Sequence, residues 1–163
     1  MEKSYSKTQK LTLSALIAAM YISIMYITAP VSFGAHQIRF ATAIYALNFL
    51  HPFLLVPLAM ANAMSNWLLG GLGFFDIFGG FAVGLVTGGA LVCLRYLKLP
   101  AWTVIFPVIL GPAFVVPLWL SHILSLPYWT LVLNLAIGQT VPGILGYVLI
   151  QTIKRRKVGK THE

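Results

Sequence analysis

The sequence predicts an all-α integral membrane protein, a single-domain bundle of six transmembrane helices with both termini cytoplasmic. Three observations predict it. The composition is 59% hydrophobic and 9% charged, with a mean hydropathy of +0.87, which belongs to the membrane class. From Leu99 to Ile153 there is no Asp, Glu, Lys or Arg, whereas a water-exposed surface of that length needs charge for solubility. All but one of the 11 Lys and Arg residues flank apolar stretches, as the positive-inside rule requires of cytoplasmic ends. The exception is Arg39.

The spans follow in order. Lys3, Lys7 and Lys10 precede an apolar run from Leu11 to Ala29, ended by Pro30. This run is longer than a signal-peptide core and further spans follow, so it reads as a retained first helix. Between Phe40 and Leu69 one helix would be too long and would contain Pro52. Splitting at His51-Pro52 gives two short spans, Ala41–Leu50 and Phe53–Leu68. Phe78–Leu94 is the fourth, closed by Arg95 and Lys98. Ala101–Leu124 and Tyr128–Ile153 are the fifth and sixth, with Pro127 at the turn between them. Parity supports the split, because basic residues at both ends require an even number of crossings. The basic tails, residues 1–10 and 154–163, then lie in the cytoplasm, where the last can also touch anionic lipid.

This topology sends Pro30–Ile38, Gly70–Ile77 and the turn at Ser125–Pro127 to the outer face. Arg39 and Asp76, the only charges away from the cytoplasmic ends, stand at the ends of the first two connections. A central Arg in a span costs about 2.5–3.5 kcal/mol on insertion scales, so such residues mark candidate sites. Interfacial anchoring or a mutual ion pair is the competing explanation. Asn62 and Asn66 lie one turn apart and lead into a glycine-rich, aromatic segment from Trp67 to Asp76. Asn134 and Gln139 sit deep in the last span, where an unsatisfied amide is penalised. Trp129 suits an interfacial belt. Ala15 and Ala19 share a face of the first helix and permit close helix approach. Gly80, Gly84 and Gly88 form a second small stripe, read first as packing and otherwise as room for a flat ligand.

Taken together, these features resemble the substrate-binding S component of an energy-coupling factor (ECF) transporter, and more narrowly the QueT family of proposed queuosine-precursor importers. The residues carrying the likeness are Leu13–Tyr21 with Ala15 and Ala19, Ser32-Phe33-Gly34, Gln37-Ile38-Arg39, Gly70-Gly71-Leu72-Gly73 with Asp76, and Gly138-Gln139. The resemblance covers about Lys7 to Lys154. It implies an S-component-like bundle in a prokaryotic cell membrane with an externally facing pocket. It also implies docking of the first helix, through Ala15 and Ala19, on a transmembrane coupling protein (the T component) driven by a pair of ATPase subunits. The expected ligand is a planar heterocycle of the 7-deazaguanine type. Gln37, Arg39, Asn66, Asp76, Asn134 and Gln139 are expected to contact it, with Trp67 or Trp129 stacking on its face.

Thr42 and Gln139 stand where the family pattern carries acids. A carboxylate paired with a cationic amine at 4 Å is worth about 4 kcal/mol before desolvation, at an effective dielectric of about 20. Without those acids the expected ligand is neutral or anionic rather than aminomethyl-bearing.

Other classes fit less well. The net charge of +8 clusters beside spans and not along one face, so no nucleic-acid partner is expected. His36, His51 and His122 share no ligand spacing, and no nucleophilic triad occurs, so neither a metal, a cofactor nor an enzyme is expected. Gly159-Lys160-Thr161 ends like a phosphate-binding loop but has Lys154 where that loop needs glycine. Cys93 reads as a small buried hydrophobe. Two alternatives stay open: an S component for another vitamin, and a structural membrane protein whose polar residues only hold helices together.

Overall fold

The computed structural model describes residues 5–33, 37–70 and 73–159, and every regular element among them is helical. Six main helical segments form one bundle, with a single further turn at Ala29–Ser32. They are α1 (Lys7–Ile27), α2 (Phe40–Leu50), α3 (Pro52–Gly70), α4 (Phe74–Tyr96), α5 (Ala101–Leu124) and α6 (Tyr128–Gly159). Five of these are long and apolar enough to cross a membrane; α2 is shorter.

Local chemistry sets the ends. Ser6 and Gln9 cap α1 reciprocally: Ser6 Oγ accepts from Gln9 N at 3.2 Å and Gln9 Oε1 from Ser6 N at 2.9 Å, satisfying two otherwise orphaned donors. The extended fourth span begins a turn earlier than the hydropathy places it. Asp76 therefore lies in the first turn of α4 and not in the preceding connection. A carboxylate is favoured there by the unsatisfied N–H groups of a helix start. Cys93 is also placed differently from the expectation, on the exposed surface of α4.

The split at His51-Pro52 is real, and α2 explains how so short a sequence fills the bundle. Residues Phe40–Ala46 wind as a 3₁₀-helix, which rises about 2.0 Å per residue against 1.5 Å in an α-helix. With the α-helical turn Leu47–Leu50, α2 extends about 20 Å, where an α-helix of the same residues would reach about 16 Å. Three residues per turn also put Thr42, Tyr45 and Asn48 on one side, and all are buried.

One end of the bundle gathers the cations. Tyr5 packs against His51 and Phe53 at ring distances of 5.4 and 5.8 Å. Lys10 Nζ stands 5.9 Å from the Phe53 ring and Lys154 Nζ 5.1 Å from Phe49. Arg95 donates to the carbonyls of Phe49 and Leu50, capping the last turn of α2. The start of α1, the α2–α3 turn and the ends of α4 and α6 thus meet at one level, as alternating helices demand.

The glycine stripe of α4 is packing. A Cβ at Gly84 would lie 2.6 Å from Ala59 Cα and 2.9 Å from the Tyr45 hydroxyl, and one at Gly88 2.5 Å from a Leu55 methyl and 2.9 Å from Asn48 Nδ2. These positions bring α4 against α3 and α2 at backbone distance.

Candidate functional site

Arg39 sits just before α2, at the end of the bundle opposite the cation cluster, and is 7% exposed. Its carbonyl accepts from Thr42 N at 2.9 Å, closing the first turn of α2. The side chain turns inward, and its guanidinium carbon lies 5.0 Å from the centre of the Phe33 ring. Nη1 donates to Asn66 Oδ1 at 3.2 Å and, at the long limit of 3.5 Å, to Asn62 Oδ1.

The two asparagines share a face of α3 because they are four residues apart. Each also donates to α4: Asn62 Nδ2 to Gly80 O and Asn66 Nδ2 to Asp76 O, both at 2.8 Å. The acceptors are four residues apart as well, so two rungs stitch α3 to α4. Gly80 makes this possible, since a Cβ there would come within 2.5 Å of Asn66 Nδ2. The last turn of α3, Asn66–Gly70, is wound as a π-helix, a local expansion common at functional sites.

The two lone charges are linked indirectly. Arg39 reaches the Asp76 backbone through Asn66, while the buried Asp76 carboxylate has the Trp119 indole as its hydrogen-bonding neighbour, with Oδ2 turned toward Gly70. Gly70 closes over that oxygen, where a Cβ would stand 2.6 Å away. Arg39 is therefore held by neutral amides.

From the other side, Gln139 Nε2 on α6 donates to Gln37 O at 2.8 Å. Gln37 has φ 43°, a left-handed conformation uncommon for a residue with a Cβ. This bond therefore holds a strained point of the α1–α2 connection.

Arg39, Gln37, Gln139, Asn62 and Thr42 line one cavity with Tyr21, Tyr45, Val83, Pro112, Val116 and Leu135. All six helices or their lead-in residues contribute. The free volume is about 10 Å³, room for about one water molecule. Around it stand polar atoms with no hydrogen-bond partner among the described residues, Arg39 Nε, Gln37 Oε1 and Gln139 Oε1, while the Tyr21 hydroxyl neighbours that of Tyr45, which also faces Asn62. The two tyrosine rings lie 5.6 Å apart. Buried polar groups are nearly always bonded, so three open ones at one space make it a candidate site for a hydrogen-bonding guest.

Of the residues anticipated from sequence, Gln37, Arg39 and Gln139 line the cavity, while Asn66 and Asp76 stand beside it, joined to Arg39 through the Asn66 amide but outside the lining. Asn134 is half-buried on α6 and does not line the cavity. Trp67 and Trp129 are 64% and 68% exposed and stand apart from it. The rings at the cavity are Tyr21 and Tyr45, and Phe33 stacks on Arg39. Their phenol oxygens in mid-span runs were the available signal, because a buried Tyr usually requires a partner for its hydroxyl. Gly34, His36, Gly71 and Leu72 lie outside the described residues.

Ala15 and Ala19 are exposed on α1 beside Leu11 and Leu16. Only 11% of the apolar window of α1 is buried, against 33–39% in the other four long helices. α1 thus keeps an open face.

Comparison with curated proteins and with solved structures gives no match. A family model described as QueT transporter matches residues 11–155, a range that includes every cavity residue and the exposed face of α1. With five membrane-length apolar helices and a buried polar site at one end of the bundle, this multi-pass membrane protein belongs to the QueT transporter family.

Proposed function

We propose that this chain is the substrate-capture subunit of an energy-coupling factor importer, taking a neutral 7-deazaguanine-type queuosine precursor from the external face. It would cross the membrane six times with both termini inside, delivering its ligand together with a T component and a pair of ATPase subunits. The observation that carries the ligand assignment is the charge of the cavity wall: its one charged residue is Arg39. Thr42 and Gln139, at positions where the family pattern has acids, both face the cavity as neutral groups.

That inventory suits a 2-amino-pyrimidinone ring. Arg39 donates to the ring carbonyl, and the oxygens of Gln37 and Gln139 accept from ring N–H and amino groups. The tyrosines cover a face. An ammonium substituent would meet Arg39 with no lining carboxylate to offset it. The free space requires the wall to move before a bicyclic ring enters. The part that can give is the strained Gln37, held to α6 among the described residues by its bond from Gln139.

Ligand-dependent thermal stabilisation tests the reading. The nitrile precursor or queuine at a hundredfold excess over its dissociation constant should stabilise the purified protein by about 2.7 kcal/mol. The aminomethyl precursor should do so more weakly. Exclusive binding of the aminomethyl form would refute the charge argument, and silence across deazapurines and vitamins would favour a structural role.

The open face of α1 supports the docking assignment, since small residues allow close helix contact where van der Waals packing drives association. Replacing Ala15 and Ala19 with Trp should abolish uptake in cells carrying the coupling module. Ligand binding by the purified chain should persist within about twofold, because neither residue lines the cavity. Surviving uptake would remove α1 as the docking face.

A further inference from the structure

A second concavity lies between α4 and α5, lined by residues other than those of the polar cavity. It has a volume of about 540 Å³, and its walls are almost wholly apolar. Ala90 and Leu94 line it from α4, Leu99 from the connection, and Phe106, Leu110 and Phe114 from α5. Most of these side chains are exposed, Phe106 at 52%, so the groove opens sideways from the bundle. None of the described helices covers it.

Its length and its ends identify what does. Along α4 the lining runs from Val86 to Leu94, about 12 Å at helical rise. Along α5 the stretch from Thr103 to Phe114 is about 16 Å. Both match the roughly 15 Å depth of hydrocarbon in one leaflet of a 30 Å core. The groove therefore spans one leaflet rather than the whole membrane, which suits an acyl chain better than a partner's full-length helix.

Its mouth lies at the cation-gathering end. Lys98 immediately precedes the lining residue Leu99 and is exposed. The turn that places it is specific: Lys98 N donates to Arg95 O at 2.9 Å and Leu99 N to Leu94 O at 3.1 Å, with Lys98 itself at φ 55°. Left-handed closures of this type usually employ glycine; here the position carries a cation instead. Asp76, the sole acid among the described residues, stands at the opposite end of α4, so nothing acidic in the described chain competes for an anion here.

We infer that this groove is a phospholipid site of the cytoplasmic leaflet, holding an acyl chain along α4 and α5 with an anionic headgroup at Lys98. Its lining shares no residue with the polar cavity, and the assignment to this leaflet rests on the proposed orientation, not on the ligand's identity.

The test uses the purified full chain in detergent with phosphatidylglycerol or phosphatidylcholine of identical acyl chains. Native mass spectrometry should show phosphatidylglycerol retained at least threefold over phosphatidylcholine. Lys98→Asn, a residue that tolerates the same backbone, should bring that ratio near one. Ala90→Trp, which fills the exposed groove, should reduce retention of both lipids; Leu110→Trp serves if the first variant unfolds. Equal retention of the two lipids by the wild type, or retention unchanged by the filling variants, would overturn the proposal. So would a dimer in detergent that Ala90→Trp dissociates, because the groove would then be a contact between copies.

Discussion

Arg39→Ala is expected to weaken ligand capture by about tenfold to a hundredfold, the worth of a hydrogen bond from a charged donor at about 1.5–3 kcal/mol. The stability of the protein without ligand should move by less than about 1 kcal/mol. Two effects oppose each other there. The Asn66 and Asn62 oxygens lose donors at 3.2 and 3.5 Å, while the chain is relieved of a buried cation that costs about 2.5–3.5 kcal/mol on insertion scales. Both asparagines keep their bonds to α4, so the α3–α4 contact survives. Arg39→Lys should recover only part of the affinity, because a single ammonium cannot reproduce the planar fork facing two amides and the cavity. Calorimetric titration of each variant with the nitrile precursor, alongside a thermal melt, separates the outcomes. Unchanged affinity in Arg39→Ala would remove the residue from the site. A collapse in stability with no change in affinity would make it a structural strut.

Gly84→Ala should destabilise this bundle strongly, since it is the described glycine at which an added methyl group would come closest to backbone. Its Cβ would meet the Ala59 Cα at 2.6 Å, a backbone atom that no rotamer change can move. Separating α3 from α4 would also displace Tyr45, whose hydroxyl stands 2.9 Å from the same point. Overpacking of this kind costs about 1–3 kcal/mol. The internal control is Gly89→Ala on the same helix, where nothing lies within 4 Å. There the change should be neutral or stabilising by up to about 1 kcal/mol, from helix propensity. Unfolding curves of the two variants in one detergent decide it. If Gly84→Ala melts like Gly89→Ala, the close approach of α3 and α4 is wrong.

The long spans were legible because hydropathy averages over about twenty residues and tolerates errors of a turn at each end. The α4 start shows the size of that error: Phe74, Phe75 and Asp76 join the helix although the apolar run is clear only from Phe78. Arg39 and Asp76 were legible as lone charges in uncharged surroundings, and the asparagine pair by its four-residue spacing. The near wall of the cavity was not. Thr42 and Tyr45 eclipse one another because α2 winds at three residues per turn, and nothing in the sequence announces that winding. The tryptophans misled for the opposite reason. An indole in a span can stack on a ligand or sit at the lipid interface, and only its position in the bundle separates those uses. Trp67 and Trp129 face outward, whereas the less conspicuous Tyr21 and Tyr45 face in.

The tight winding of Phe40–Ala46 ties the shape of the polar cavity to its depth. Relaxing those seven residues into ordinary α-helical turns would shorten the segment by about 3.5 Å and swivel one end against the other by about 140°. Arg39 would be drawn inward as Thr42 and Tyr45 turned away from the space they now border. With the far end moored to Arg95, α2 has the kinematics of a screw: no axial stroke without a turn.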